Sequence, residues 1–161
     1  MEITAGIANK IVDYEIFDHA FREDVFNFEQ FKEDFLALSA KVDGEVYSLE
    51  LDVCPNRETV VIWENWQPKI NKRRRFYAIN DPNELDRFVT IGLEHIRPYG
   101  CFLPVEKTIP IVRDFFENVF APSDRIQWIE SHQLEWPPSD VEIEELHPAY
   151  KEYLVRTGKT F

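Results

Sequence analysis

The chain of 161 residues has no long apolar segment, few glycines and few cysteines. No apolar run approaches the roughly 20 residues of a membrane-spanning helix, which argues against a membrane protein. The N-terminus carries Glu2 where a secretory signal would carry positive charge, and no long apolar stretch follows. The two cysteines, Cys54 and Cys101, favour a reduced pair over a disulfide. Together these absences predict a cytoplasmic protein.

Sequence motifs of catalysis are also lacking. The five glycines form neither a phosphate-binding loop nor a dinucleotide fingerprint. The patterns Gly-x-Ser-x-Gly, Cys-x-x-Cys and His-Glu-x-x-His do not occur. The four histidines are far apart in the chain, so a metal site would need the fold to gather them. We therefore predict no enzymatic activity, no catalytic or metal-binding residues and no cofactor.

Aspartate and glutamate outnumber lysine and arginine, which gives a net charge of −12. Lys and Arg make the contacts to phosphate, so this balance argues against nucleic acid as a partner. It permits steered docking onto a basic protein, although acidity also keeps an ordinary intracellular protein soluble. The charge is uneven: residues 1–40 hold nine acids and three bases, and residues 129–148 hold six acids and no Lys or Arg.

The second acidic region contains the residues that we predict to bind a partner. We interpret residues 137–161 as a helical C-terminal arm that packs on a core domain of residues 1–136. A capping box begins a short acidic helix at Ser139, and Pro148 begins a second helix with a Tyr-Leu face. The predicted partner-binding residues are the acids of this region: Glu135, Asp140, Glu142, Glu144 and Glu145.

The stretch 101–130 predicts the centre of the fold. Apolar residues recur there at steps of three and four, as on one face of a helix. They are Val105, Ile109, Val112, Phe116 and Val119. Thr108 would cap this helix, with Pro110 in its first turn. A short strand ending at Phe102 or Leu103 and an alternating strand over Arg125–Ile129 complete a β-α-β unit.

Hydrophobic periodicity predicts further elements on the N-terminal side of this unit. They are a strand over Lys10–Phe17, a helix with a Phe stripe from Phe21 to Leu38, an antiparallel hairpin of Val46–Val53 and Thr59–Trp63, a strand over Phe76–Ile79, and a helix from Asp81 to Ile96. The whole chain is thus predicted to be α+β (mixed α/β). We expect a single domain with a mixed, mainly antiparallel sheet, helices packed on it and the helical arm.

Three acids could form a metal or catalytic site, and one basic cluster could bind nucleic acid. Glu50 and Asp52 share a strand face and Glu64 follows the next strand, and paired carboxylates can bind a metal or act as acid and base. Strands with one wet face commonly carry such residues, so we assign them, like His95 near a helix end, a structural role. The cluster Lys69–Arg75 has aromatic neighbours, as nucleic-acid binders do. We expect instead a solvated loop that pairs with the protein's own acids or a partner's.

The order of motifs in residues 45–130 carries a resemblance. The motifs are the strand Val60–Glu64, Phe102, Ile109-Pro110, the helical pair Phe115-Phe116, Pro122 and Ile126-Gln127-Trp128. This order resembles one family of cytoplasmic immunity proteins from bacterial polymorphic toxin systems, which ends in Ile-Pro, a helix with Phe, and Pro-x-x-Ile-x-Trp. The tail from Pro137 to Leu154 is also similar to the opening helix of the SUKH immunity superfamily.

The resemblance implies a non-enzymatic protein that blocks a cognate toxin by binding it. Its acidic surface would cover a basic cleft of the toxin, so the expected partner is a basic toxin domain. Two alternatives stay open, namely a general intracellular scaffold or regulatory protein and an uncharacterised hydrolase or metal enzyme. The sequence decides neither which toxin is bound nor whether the chain is a monomer or a dimer.

Overall fold

A computed structural model describes residues 2–5, 10–11, 35–54, 56–91, 95–138 and 145–158. These residues form ten strands and two α-helices. In chain order they are β1 (Thr4–Ala5), β2 (Lys10–Ile11), β3 (Phe35–Val42), β4 (Glu45–Val53), β5 (Glu58–Gln67), β6 (Lys72–Ala78), β7 (Phe88–Ile91), β8 (His95–Pro98), β9 (Phe102–Pro104), α1 (Val105–Glu117), β10 (Trp128–Glu130) and α2 (Pro148–Thr157). Neither helix is long and apolar enough to cross a membrane.

Eight of these strands form one sheet, in which every pair of neighbouring strands is antiparallel. The strand order is β10-β6-β5-β4-β3-β1-β2, and β9 pairs with the start of β5 beyond the end of β6. Strands β7 and β8 form a separate antiparallel hairpin. The α+β class with a mainly antiparallel sheet, which the sequence predicts, is confirmed.

One face of the sheet packs against α1. Leu36, Leu38 and Ala40 alternate along β3 and are buried there, as period-2 patterning requires. The helix contributes a buried stripe that consists of Val105, Thr108, Ile111, Val112 and Phe115. This stripe is rotated from the predicted one, because Ile109 and Phe116 are only partly buried. The helix starts at Val105, so Thr108 and Pro110 lie within it, and Thr108 contacts Thr59 instead of capping the helix.

The opposite face of the sheet carries a second core under the β7–β8 hairpin and α2. Val60 and Ile62 of β5 are fully buried there, together with Val89 of β7. Tyr150 of α2 is also fully buried, and its hydroxyl donates a hydrogen bond to the carbonyl of Val53 at 3.5 Å. Strand β5 is therefore buried on both faces, as its continuous apolar run predicts.

The predicted hairpin of Val46–Val53 and Thr59–Trp63 is confirmed as β4 and β5, with Leu49 opposite Trp63. The helix of the central unit is confirmed as α1, and the strand after it spans Trp128–Glu130, shorter and later than predicted. The strand predicted at Phe76–Ile79 is the end of β6. In the arm, the second helix is confirmed as α2, which Gly158 ends in a left-handed conformation with φ of 66°.

The helix predicted from Asp81 to Ile96 is wrong. Asp81 does cap a helical turn, because its side chain accepts a hydrogen bond from the Asn83 amide, but only the 3₁₀ turn Pro82–Glu84 follows. The chain then forms β7 and β8. Val89-Thr90-Ile91 is a β-branched run, which favours a strand, and alternate residues Val89 and Ile91 are buried.

The helix predicted from Phe21 to Leu38 is wrong at its end, where Phe35–Val42 is strand β3. The remainder of that helix, the strand predicted to Phe17 beyond Ile11, and the acidic helix predicted at Ser139 lie outside the described residues. The division into a core domain and an arm at residue 137 stays a prediction.

Candidate functional site

The acidic segment predicted to bind a partner, Glu135–Glu145, is attached to β7 near each of its ends. Near its start, the centroid of the Trp136 ring lies 5.3 Å from that of Phe88. At its end, the Thr90 amide donates a hydrogen bond to the carbonyl of Glu145 at 2.9 Å. Phe88 and Thr90 are two residues apart on one strand, a distance of about 7 Å. Residues 137–144 therefore connect two neighbouring attachment points.

The structure describes two of the five acids predicted to bind a partner. Glu135 is exposed. Glu145 accepts hydrogen bonds from Nε of Arg87 at 3.0 Å and from Nη2 of the same side chain. These bonds hold the pKa of the Glu145 carboxyl below its ordinary value, so this residue fastens the end of the segment. The three other acids, Asp140, Glu142 and Glu144, lie outside the described residues.

Arg87, which holds Glu145, is itself fixed by its surroundings. Its guanidinium carbon lies 4.1 Å from the centroid of the Tyr99 ring, a cation–π contact. The Tyr99 amide also donates a hydrogen bond to the Arg87 carbonyl at 2.7 Å. The attachment point after the segment is thus built on the β7–β8 hairpin and does not depend on the acids between Pro137 and Glu144.

Negative charge is divided unevenly along the chain. The described residues hold eighteen Asp and Glu against fifteen Lys and Arg, an excess of only three negative charges. The segment Glu135–Glu145 holds five acids and no base, and residues 12–34 hold eight acids and two bases. Most of the chain's excess acidity therefore belongs to a few segments, and the sheet with its two helices is close to neutral.

A second group of charged side chains surrounds Asp52 of β4. Asp52 is 1% exposed and accepts a hydrogen bond from Nε of Arg97 at 2.6 Å. The other carboxylate oxygen lies 3.1 Å from Nδ1 of His95. Arg97 and His95 both belong to β8, so this contact holds the β7–β8 hairpin on the sheet. The sequence predicted His95 near the end of a helix. The structure places it on strand β8 instead.

An aspartate that contacts Nδ1 of a histidine is also the arrangement that orients a general base. In this molecule Arg97 binds the same carboxylate as His95 does. A buried carboxylate with a guanidinium partner is compensated electrostatically. The geometry is thus compatible with a structural pairing and with an acid–base role for His95.

Glu50 and Glu64 share one arginine on the same face of the sheet. Arg75 of β6 donates a hydrogen bond to Glu64 at 2.5 Å and contacts Glu50 at 3.3 Å. Nε of Arg73 lies 3.2 Å from the other oxygen of Glu64. Burial raises the pKa of the Glu50 carboxyl, and the charge of Arg75 opposes this shift. The two carboxylates are thus bound by guanidinium groups across neighbouring strands.

The basic cluster Lys69–Arg75 is not a loop. Its first part is the 3₁₀ turn Pro68–Ile70, and β6 begins at Lys72. The pairing with the protein's own acids is confirmed, because Arg73 and Arg75 bind acids of β4 and β5, and Arg74 donates a hydrogen bond to Glu130 at 3.0 Å.

Within residues 35–54, 56–91, 95–138 and 145–158, no group of three or more His, Cys, Asp or Glu side chains is placed to hold a metal ion. Cys54 and Cys101 are buried and are not joined in a disulfide, in agreement with the predicted reduced pair. Burial raises the pKa of the Cys101 thiol to about 12, which keeps this side chain protonated at neutral pH.

His147 is a buried residue that sequence reasoning missed. It is 2% exposed, and its Nδ1 accepts a hydrogen bond from the Ala149 amide at 3.1 Å, which caps α2. Its ring centroid lies 4.4 Å from that of Phe102. Burial lowers the pKa of this imidazole to about 4, so it is neutral at pH 7. The sequence signal for this role is the position of His147 directly before Pro148, because Pro favours the first position of a helix and the residue before it can cap that helix.

Arg87 and Arg97 were missed as well. Their acidic partners, Glu145 and Asp52, are 58 and 45 residues away in the chain. No local spacing indicates either pair, since both depend on where the β7–β8 hairpin packs.

Comparison of the chain with protein-family models, with curated proteins and with solved structures found no match. The resemblance to immunity proteins stays a prediction from the sequence motifs.

Proposed function

We propose that this chain is a non-enzymatic binding protein, namely an immunity protein that neutralises a cognate bacterial toxin. In this proposal the segment Glu135–Glu145 contacts a basic surface of the toxin. The supporting observation is that the chain attaches to β7 at Trp136 and again at Glu145, on either side of a run of acids without a base. Fixed ends lower the conformational entropy that a binding segment loses when it meets its partner.

Electrostatics favours a basic protein as the partner. A concentrated acidic segment on a nearly neutral body produces a directional field, which accelerates association with a surface of opposite charge. A toxin that cleaves or binds nucleic acid needs a basic cleft, and such a cleft is complementary to this segment. An immunity protein of this kind acts in the cytoplasm, where it meets the toxin before damage occurs.

The rest of the fold supports this role by keeping the attachment points rigid. Strand β7 rests on the second core through Val89 and Ile91, which are 0% and 1% exposed. The β8 side of the hairpin is held by Arg97 through its contact with Asp52. A segment attached to such a support is presented in a restricted set of positions, so less of the binding free energy is lost to ordering.

The proposal is tested with the toxin domain encoded beside this chain in its genome. The two proteins should form a one-to-one complex whose association rate falls steeply as salt is raised. Reversing three acids, in D140K/E142K/E144K, should slow association at low salt by about tenfold or more. The matched control E117K/D124K/E152K changes the net charge equally at three exposed acids elsewhere and should slow it far less. Equal effects of the two variants would contradict the proposal.

The contact of Asp52 with His95 favours a second candidate, a hydrolase in which His95 acts as general base. This candidate predicts hydrolysis of a model ester or phosphodiester that His95→Gln abolishes, while circular dichroism shows that the variant is still folded. Hydrolysis at the same rate in the variant, or its absence from the wild type, would exclude this role.

A further inference from the structure

One end of the sheet exposes large apolar side chains. Ile70, in the turn between β5 and β6, is 66% exposed, and Phe120, just after α1, is 50% exposed. Single exposed apolar residues are common on soluble proteins, but neighbouring ones on one surface mark a site of interaction. Val155, which is 85% exposed on α2, is such a single residue and serves below as a control.

Ile70 and Phe120 both border the region around the start of β4. The Phe120 ring packs edge-on against the Tyr47 ring, with centroids 5.1 Å apart. The Tyr47 hydroxyl donates a hydrogen bond to Glu45 at 2.9 Å. Glu45 and Ile70 then line a surface cavity of about 170 Å³ between the β3–β4 and β5–β6 turns. We call this region the turn-end surface. It comprises Asp43, Gly44, Glu45, Tyr47, Pro68, Lys69, Ile70 and Phe120.

The turn-end surface carries both signs of charge. Asp43 lies in the β3–β4 turn and Glu45 begins β4. The stem of Lys69, in the β5–β6 turn, lies 4.0 Å from the position that a Cβ on Gly44 would take. Burial and the hydrogen bond to Glu45, together with the charges of Glu45 and Asp43, raise the pKa of Tyr47. Acids and a base thus flank the same cavity.

We propose that the turn-end surface is an isologous interface that joins two copies of this chain. A twofold axis through it would place Ile70 of each copy in the cavity of the other, and Lys69 of each copy opposite the partner's acids. The cavity has room for an aliphatic side chain, since one of about 150 Å³ in another protein takes up benzene. A second copy fits better than an unrelated protein because the surface is complementary to itself. It carries a projecting apolar side chain and a cavity, and it carries both acids and a base.

The proposed dimer does not depend on binding of a toxin. The turn-end surface lies at the start of β4, and α2 with its Tyr150 contact lies at the end of β4, about 27 Å away along the nine-residue strand. The acidic segment attaches to β7, outside this surface. A dimer can therefore form whether or not a toxin binds, and the two proposals fail separately.

Sedimentation equilibrium of the full chain over a micromolar concentration series tests the interface. The wild type should show a reversible monomer–dimer equilibrium. Ile70→Asp should weaken the dimer by at least about tenfold, because it places a charge in the partner's cavity. Val155→Asp adds the same charge to an exposed apolar site at the other end of β4 and should leave the equilibrium unchanged. A wild type that stays monomeric, or equal losses in the two variants, would overturn the proposal.

A charge exchange tests the predicted twofold arrangement. Lys69→Glu should weaken the dimer, because each substituted residue faces Asp43 and Glu45 of the other copy. The triple variant D43K/E45K/K69E reverses both sides and should restore most of the lost affinity. Restoration supports the isologous interface, and a triple variant that dimerises no better than Lys69→Glu contradicts it. Asp43 and Lys69 are exposed and Glu45 is half-exposed at the start of β4, so circular dichroism should show an unchanged fold.

Discussion

The side chain of Asp52 has almost no contact with solvent, yet it carries a carboxylate. Taking such a charge out of water is costly, and only close partners with good geometry offset the cost. Arg97 supplies the closest one, at 2.6 Å, and His95 contacts the other oxygen. Removal of Arg97 alone should therefore lower the stability of the protein strongly, because it leaves the buried carboxylate of Asp52 without its closest partner.

Arg97→Met should lower the free energy of unfolding by about 3–5 kcal/mol, because the Asp52 carboxylate loses its guanidinium partner. Urea unfolding followed by circular dichroism measures this change. The double variant D52N/R97M removes the charge as well and should recover part of the loss. A loss below about 1 kcal/mol for Arg97→Met would show that Asp52 does not depend on this arginine.

His147 gives the stability of the protein a dependence on pH. Its pKa is about 4 in the folded chain and 6.5 as the ordinary value, so below pH 6.5 the unfolded chain binds a proton that the folded chain does not. The free energy of unfolding should therefore fall as the pH drops from 6.5 towards 4, by at most about 1.4 kcal/mol per pH unit from this group.

His147→Asn tests this dependence. An asparagine can also accept the hydrogen bond of the Ala149 amide and cap α2, but it does not titrate. Urea unfolding at a series of pH values should show a shallower decline for the variant than for the wild type between pH 6.5 and about 4. Parallel declines would mean that His147 has the same pKa in the folded and unfolded chains.

At the level of the elements, the turn that follows β6 packs against the turn that precedes β9. The Gly100 carbonyl accepts hydrogen bonds from the amides of Asn80 and Asp81, at 2.8 and 2.9 Å. A Cβ at position 100 would lie 2.2 Å from the Asp81 carbonyl oxygen, closer than atoms can approach. Only glycine allows the turn before β9 to lie so close to the turn after β6.

Gly100→Ala should accordingly lower the free energy of unfolding by about 3 kcal/mol, the upper part of the range for overpacking. Gly158→Ala is the matched control. That residue has a φ of 66° but no atom within 4 Å of the added carbon, so only the backbone cost of about 1 kcal/mol applies. Equal losses in the two variants, measured by thermal or urea unfolding, would show that the backbone around Gly100 moves without cost.

Regular elements were predictable where one period dominated the sequence. The helical spacing from Val105 to Val119 predicts α1, and the alternation in Val46–Val53 predicts β4. The stretch after Asp81 misled the prediction, because a strong helix start signal precedes a β-branched run that pairs with β8. Tertiary context decided the structure there, because this run pairs with β8 and buries Val89 and Ile91.

At the scale of the whole molecule, the acidic segment was visible in the sequence but its support was not. Five acids without a base stand out between Glu135 and Glu145 in composition alone. The role of Glu145 as an anchor needs Arg87, which is 58 residues away. In the same way the pairing of Asp52 with Arg97 follows from packing of the β7–β8 hairpin and not from spacing.

The described residues form a nearly neutral α+β body, to which the acidic segment is attached at both ends. The charge balance of the described residues and the two attachments to β7 support this view. In the proposed function, fixed ends reduce the conformational entropy that the acidic segment loses when it binds its partner. The same view leaves the turn-end surface free for self-association.

Amide hydrogen exchange tests the proposed binding segment, when it is measured on the chain alone and in complex with the toxin domain that the proposed function expects to be encoded beside it. Under the proposed function, binding slows exchange most strongly between Trp136 and His147, with little change in β3 or at the turn-end surface. Protection that is confined to other parts of the chain, with exchange between Trp136 and His147 the same in the free and bound states, would contradict it.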